Sequence, residues 1–329
     1  MNKKNVLLLS GGGSTEHDVS LVSVKYIREC LNSLNNVNLI DIEIDRSGNW
    51  IGTNGKKYLL DAKRILRSFD QDGDLGLKID VAVPCIHGYP GETGDIQSYF
   101  EMIGLPYLGC NSETSKMCFN KITTKLWASA LGVPNTPYIF LSDLNDLERV
   151  LDFHKKHQEV VVKASNQGSS VGCFLARKDD DLKTIIKKAF DYSPFVLIEK
   201  RLTPRELEVS VYEYDGKLQI SLPGEIICPS NFYSYEEKYS QKSETTTETI
   251  AKNVSPENVK KITDYAAKLY YGLRLRHLSR VDFFLADNEI YLNEINTFPG
   301  LTPISMFPKM MEANGHSFKE FLSQHINKL

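Results

Sequence analysis

No apolar run in this chain of 329 residues is long enough to cross a bilayer, so a membrane-spanning role is not expected. Charge of either sign is also not in large excess. Thirty-nine Lys and Arg face 42 Asp and Glu, a net charge of -3, which argues against a polybasic nucleic-acid surface or membrane anchor. Any basic residue with a special role must therefore act locally. The six cysteines include no CxxC pair and no histidine at zinc-finger spacing, which excludes the usual zinc frameworks. Several sit in apolar runs, such as Cys85 in VAVPCIHG and Cys173 in SSVGCFLA. They read as reduced packing residues of a cytosolic protein. The start, MNKKNVLLLSGGG, has lysines before an apolar run, but the run ends at Leu9 and lacks a cleavage-site pattern. It reads as a buried strand. There is no internal repeat and no low-complexity linker.

The composition is that of a globular protein, at 41% hydrophobic and 25% charged, and the length implies two or three domains. The first third alternates strand and helix patterns: VLLLS, a helix with apolar positions from Val19 to Leu34, then NLIDIEI, IDVAVPCI, a helix near Ile96 to Ile103, and LPYLG. That βαβ order predicts a parallel sheet. The polar stretch 47–76 is expected to decorate its edge. A second unit begins near Asn111, with a helix over 116–131 and strands at 138–141 and 159–163. A Gly- and Ser-rich loop follows, then the strand GCFLA, a helix over 179–190 and a strand ending at Glu199. The last third contains the hairpin ELEVSVYEYDGKLQISL, a long loop over 231–254, a helix over 256–271, a second hairpin SRVDFFLADNEIYLNEIN and a terminal helix. The fold class is α/β (α+β), divided at 1–111, 112–203 and 204–329.

Four features can carry chemistry. Strand alternation puts Arg280, Asp282 and Phe284 on one face of the second hairpin, and Ile290, Leu292, Glu294 and Asn296 on one face of its return strand. A three-residue turn would pair Asp282 with Glu294 and Arg280 with Asn296. A two-residue turn would instead oppose Asp282 to Asn293, unless a bulge intervenes. Two carboxylates and an amide oxygen suit a hard cation such as magnesium; a solvated face with an Arg–Asp pair is the other reading. In VVVKASNQGSSVG, a buried strand delivers Lys163 to a loop whose Gly168, Ser169 and Ser170 can approach phosphate oxygens or simply make a tight turn. In LLSGGGSTEHDVSLVS, Glu16 lies at the sheet's C-terminal edge, where it can hold an amine or complement the helix dipole. His87 in CIHGYPGETGDIQS ends a strand at that edge, as a substrate-orienting or a structural histidine.

Together these segments resemble the D-alanine–D-alanine ligases of the ATP-grasp superfamily. The resemblance runs through GGGSTEHDVSLVS, HGYPGETGDIQ, FNKITTKLW, VVVKASNQGSSVG, LIEKRLTPRELEVSV, FYSYEEKYS, SRVDFF and YLNEINTFPGLTPIS. It implies an ATP-grasp fold of three domains around a cleft. It implies that Glu199, Lys200 and Leu202 hold adenine, Glu206 the ribose, and Phe232 and Leu292 cover the ring. Lys121, Lys163, Lys238 and the loop with Ser169 and Ser170 would hold phosphates, and Asp282, Glu294 and Asn296 two Mg²⁺, with Mn²⁺ able to substitute. Glu16 would bind the first amino acid's ammonium beside His87, and Ser305 and Met306 would lie near the second amino acid. Arg280 and the N–H of Gly300 would face the tetrahedral oxyanion. Tyr235, Lys238 and Tyr239 would form a lid, with Tyr239, Ser169 and Glu16 in one hydrogen-bond chain. Tyr239 in EEKYS favours an amine acceptor over lactate and leaves D-serine open. Ala164 stands where many members have proline. The implied reaction joins two D-alanines at the expense of ATP, for peptidoglycan precursor synthesis in a bacterial cytoplasm, by a homodimer that takes no nucleic acid or membrane partner.

Overall fold

The computed structural model describes residues 3–69, 76–228 and 245–329. The first sheet has strands β1 (Lys4–Gly11), β2 (Val37–Ile44), β3 (Trp50–Gly52), β4 (Lys57–Leu60), β5 (Ile65–Ser68), β6 (Leu77–Lys78) and β7 (Val81–Pro84). Their order is β6-β5-β4-β3-β2-β1-β7. β1 runs parallel to β2 and β7, as the βαβ pattern predicts. The stretch expected to decorate the edge extends the sheet as antiparallel β3 to β6. LPYLG adds only a single parallel bridge, Ala82 to Tyr107.

β1 reads as unbroken VLLL because both of its faces are covered. Val6 and Leu8 join one core, with Val24 and Ile27 of α1 (His17–Asn32). Leu7 and Leu9 join the opposite core, with Ile96 and Phe100 of α2 (Asp95–Met102).

The helix expected over 116–131 is two, α3 (Ser112–Phe119) and α4 (Lys121–Ala130). Asn120 ends the first and caps the second, its side chain accepting from the N–H groups of Ile122 and Thr123 at 3.0 and 3.1 Å. An Asn side chain that satisfies the first free N–H groups competes with helix continuation, so the break belongs to this residue. Both helices pack on the third sheet through Cys118 and Ala128.

The second sheet comprises β8 (Tyr138–Leu141), β9 (Val160–Ala164), β10 (Cys173–Ala176) and β11 (Val196–Lys200), all antiparallel in the order β10-β9-β11-β8. Helices α5 (Leu147–His157) and α6 (Leu182–Phe190) cover one face. α5 was not anticipated, although Leu147, Val150 and Phe153 give it an apolar side that packs on the sheet.

The third sheet contains β12 (Arg205–Tyr214), β13 (Lys217–Ile220), β14 (Gly224–Ile227), β15 (Thr246–Glu248), β16 (Leu278–Ala286) and β17 (Glu289–Asn296). Within the span expected to be a loop, β15 pairs with β14. Helix α7 (Pro256–Gly272) backs this sheet, and α8 (Met306–Ala313) and α9 (Phe318–Lys328) replace the single terminal helix. No described helix is long and apolar enough to cross a membrane.

The chain's end returns to its beginning. Phe307, Phe318, Phe321 and Ile326 share a core with Val6, Leu8 and Ile27, and Phe318 stacks on Tyr26 with ring centroids 5.5 Å apart. A polar seam runs beside it: Arg276 Nε donates to Gly109 O at 2.7 Å, and Gly109 N–H donates to His277 Nδ1 at 2.9 Å. The first and third sheets are thereby held together. Phe321→Ala is expected to lower unfolding free energy by about 3–5 kcal/mol in urea titration, because the residue is fully buried where both sheets depend on it.

Candidate active site

Asn120 aims the first functional side chain. Its cap starts α4 at Lys121, and its Oδ1 also accepts from Ser165 Oγ at 2.8 Å, tying the helix to the loop after β9. Lys121 Nζ donates to Gln167 O at 2.7 Å and lies 3.6 Å from Glu294 Oε2. One turn on, Lys125 points the same way, as an i,i+4 neighbour does. It is 1% exposed and pairs with Glu199 Oε1 at 2.6 Å. Lys163 of β9 holds the other oxygen, Oε2, at 2.5 Å. Burial alone would raise the Glu199 carboxyl, but Lys125 and Lys163 outweigh it and hold the group at about 2. Burial lowers the pKa of Lys125 despite Glu199, whereas Glu199 keeps Lys163 charged against its burial.

Lys163, Glu199, Lys200, Leu202 and Glu206 line a cleft between the second and third sheets. Ser169 and Ser170 also line it, both in the left-handed region, with φ of 49° and 60°. Such conformations cost roughly 1–2 kcal/mol per residue, and here Ser169 Oγ is held by donating to Glu16 Oε1. Gly168 permits this approach, because a Cβ there would stand 2.6 Å from Glu16 Oε2.

A second cavity adjoins the cleft. Glu16, His87, Arg280, Gly300, Ser305 and Met306 line it. Glu16 precedes α1, and His87 follows β7 at the same sheet edge. Ser305 precedes α8 and its Oγ accepts from Thr302 N–H at 3.1 Å. Lys121, Gln167, Ser169 and Glu294 line both chambers, so the two meet there.

The second hairpin builds one wall of this junction. Its turn has two residues, Asp287 and Asn288, both with positive φ (51° and 63°). A bulge between Asp282 and Phe283 then restores the pairing of Asp282 with Glu294 and Arg280 with Asn296. The bulge also reverses the facing of the strand. Asn293 is the extra residue and lines the cleft, while Leu292 pairs with Phe283 and is fully buried in the core. Leu292 is thus not among the residues lining the cleft, as expected of a ring cover; Phe284 lines it instead. Strand alternation had placed Leu292 with Glu294, and the extra residue separates them.

Arg280 donates from Nε and Nη2 to the two carboxylate oxygens of Asp282, each at 2.7 Å, and its Nη2 is 3.4 Å from Glu208 Oε1. Despite burial, Asp282, Glu208 and Glu294 hold the arginine firmly charged. Asn296 Nδ2 donates to Asp282 at 3.0 Å, which leaves its amide oxygen as an acceptor beside the two carboxylates. This donor set of hard oxygens suits magnesium. Among the described residues no three His, Cys, Asp or Glu side chains form a metal-holding group; the set here is two carboxylates and one amide.

Phe232, Tyr235, Lys238 and Tyr239 lie outside the described residues. Three groups were missed from the sequence. Lys125 was signalled by its spacing from Lys121, and Glu208 by strand alternation from Glu206. Glu92, which lines the second cavity, had no signal beyond its place in HGYPGETGD.

Two antiparallel sheets facing each other across a lysine-lined cleft, with an acidic hairpin at the inner end, define the ATP-grasp class. Two family models match the chain, D-ala D-ala ligase N-terminus over residues 5–110 and D-ala D-ala ligase C-terminus over residues 126–327. The chain belongs to the D-alanine–D-alanine ligase family. A D-alanine–D-alanine ligase of Vibrio atlanticus is 54% identical over 99% of this chain and 98% of its own length. The crystal structure of D-alanyl-alanine synthetase A from Vibrio cholerae is 48% identical, with a TM-score of 0.93 over 100% of this chain and 98% of that one. The VanG D-Ala:D-Ser ligase of Enterococcus faecalis is 28% identical, with a TM-score of 0.87 over 99% of each chain.

Lys125→Met leaves Glu199 buried with one cation. It is expected to lower stability by about 3 kcal/mol at pH 7.5 in urea titration. The carboxyl sits near 2 rather than an ordinary 4.5, so its contribution is complete above about pH 4.5 and is lost as pH falls toward 2. With one lysine gone the folded-state carboxyl moves up toward 4.5, so the variant should lose less stability than the parent as pH falls from about 4.5 to 2, and the gap between the two should narrow over that range.

Proposed function

We propose that the chain joins two molecules of D-alanine to D-alanyl-D-alanine, with conversion of ATP to ADP and phosphate through an acyl phosphate. The observation that carries this reading is the junction of the two chambers at Lys121, Ser169 and Glu294, where a terminal phosphate and an amino-acid carboxylate can meet. ATP would occupy the cleft, with its base against Glu199, Lys200 and Leu202, its ribose at Glu206, and its phosphates toward Lys121, Lys163 and Ser170. The first D-alanine would sit in the second cavity, its ammonium at Glu16 and its carboxylate toward His87 and Arg280.

The carboxylate oxygen attacks the terminal phosphorus, the bond to ADP breaks, and a D-alanyl phosphate forms. Lys121 and Lys163 neutralise the charge that spreads over the transferring group. Asp282, Glu294 and Asn296 would hold two magnesium ions (or manganese), which when bound supply further neutralisation there. The second D-alanine's amine then attacks the acyl carbon, the C–N bond forms and phosphate departs. Arg280 and the Gly300 N–H are the donors for the oxyanion of that step. Ser305 and the start of α8 offer donors to the second carboxylate. Tyr235, Lys238 and Tyr239 are assigned to excluding water from the acyl phosphate by resemblance alone.

The relative named for D-serine is 28% identical to this chain, against 54% for the one named for D-alanine, which favours D-alanine as acceptor. Division at 1–111, 112–203 and 204–329, a homodimer, and a cytoplasmic role in peptidoglycan precursor synthesis complete the reading. Phosphate release from ATP and magnesium is the test, with D-alanine, D-serine, D-lactate and L-alanine compared and products identified by mass. Release with D-alanine alone, giving the dipeptide, is expected. ATP binding without turnover on any of them would make the chain a silent nucleotide-binding protein.

A further inference from the structure

An amino acid enters this site as an ammonium ion, which has no lone pair to attack with. It must therefore lose one proton before the amide bond forms, and a group in the second cavity can accept it. His87 is poorly placed for this. Its Nε2 lies 3.0 Å from Ser23 Oγ and its ring also bonds the backbone of Phe298, so the imidazole is committed on both sides. Among the described residues, four carboxyl groups line the cavity: Glu16, Glu92, Glu208 and Glu294. Three of them are engaged. Glu16 accepts from Ser169 and is assigned to the first ammonium, Glu208 faces Arg280, and Glu294 stands opposite Asp282 beside Lys121.

Glu92 is left. One of its oxygens, Oε2, accepts the Gly88 N–H at 2.9 Å, which fixes the carboxyl against the cavity wall. Among the described residues no cation is paired with it in the way Lys125 and Lys163 are paired with Glu199. We propose that Glu92 takes the proton from the second D-alanine's ammonium and so releases the neutral amine that attacks the acyl phosphate. This rests on the ligase reading above. The ammonium gives one proton to the Glu92 carboxylate. The nitrogen lone pair forms the C–N bond, the acyl C–O bond breaks, and its electron pair leaves on phosphate. The second proton of the nitrogen leaves with that phosphate, and Glu92 returns its own proton to solvent after product departs.

The surroundings tune the group for this task. Burial first, and then Glu16, push its carboxyl up to about 8, with Glu294 adding to the rise while the Gly88 N–H and Arg280 oppose it. His87 is held neutral by its own burial, and Lys121, the other cation lining the cavity among the described residues, is engaged with Gln167 and Glu294. An acceptor poised near the working pH transfers protons most effectively. The form able to accept a proton becomes populated as pH rises through about 8, so dipeptide synthesis should climb over that range.

The test separates proton removal from the rest of the reaction. Hydroxylamine is already neutral at pH 7 and captures an acyl phosphate as a hydroxamate without needing a base. Glu92→Gln keeps the size of the side chain and an acceptor for the Gly88 N–H. It is expected to lose about 100-fold or more in dipeptide synthesis, while hydroxamate formation and D-alanine-dependent positional isotope exchange in ATP stay within about threefold of the parent. Equal loss in all three would make Glu92 a binding or structural residue and overturn the proposal, as would unchanged dipeptide synthesis. If the variant does not fold, the parent's pH profile decides. An ionisation near 8 in dipeptide synthesis that is missing from hydroxamate formation supports Glu92, and identical profiles overturn it. A parent that makes hydroxamate but no dipeptide at any pH would count against the ligase reading itself.

Discussion

A carboxylate shut away from water between two lysines sets the terms for the cleft. Glu199 could not remain ionised at its depth without Lys125 and Lys163, and Lys125 could not stay so deep without it. The three come from α4, β9 and β11, so the ion cluster fixes how a helix that packs on the third sheet meets the two central strands of the second. Geometry and charge are settled by one contact. The cleft that results is lined by the cationic Lys121 and Lys163, which suit a polyphosphate, and by the apolar Leu202 and Phe284.

The second constraint is the return of the chain to its start. Helix α8 packs on β12 of the third sheet, and α9 carries that packing on to α1 of the first, in a core that β1 also joins. This closes the second cavity from the far side, because the loop carrying Gly300 and Ser305 is strung between β17 and α8. The substrate-facing loop is thus fixed at one end by the core behind β17 and at the other by the core that the first and third sheets share. Local positions such as Glu16, His87 and Ser305 come within reach of one small molecule only because of that long-range closure.

Much of this was legible in the sequence. Buried strands announce themselves by unbroken apolar runs, as β1 does, and the DG turn of β12 and β13 sets its own register. The pairing of Asp282 with Glu294 was anticipated as one of the available registers, though the turn expected to produce it was a residue longer. What the sequence did not disclose was the extra residue in β17 that sends Leu292 to the core and Glu294 to the cavity. Periodicity describes a regular strand, and a bulge is an interruption of that regularity set by tertiary packing. The break at Asn120 was hidden for a similar reason, since its flanks both carry helical periodicity. Lys125 and Glu92 were hidden because their importance comes from partners distant in sequence.

The shared wall between the two chambers has a thermodynamic meaning. Lys121 and Glu294 belong to both, so a charged molecule bound on one side alters the potential felt on the other without any part of the backbone having to move. Occupancy of each chamber is therefore linked to occupancy of its neighbour. By reciprocity, whatever factor a bound nucleotide applies to the affinity for an amino acid, the amino acid applies to the affinity for the nucleotide. The wall separates two ligands in space and joins them in free energy.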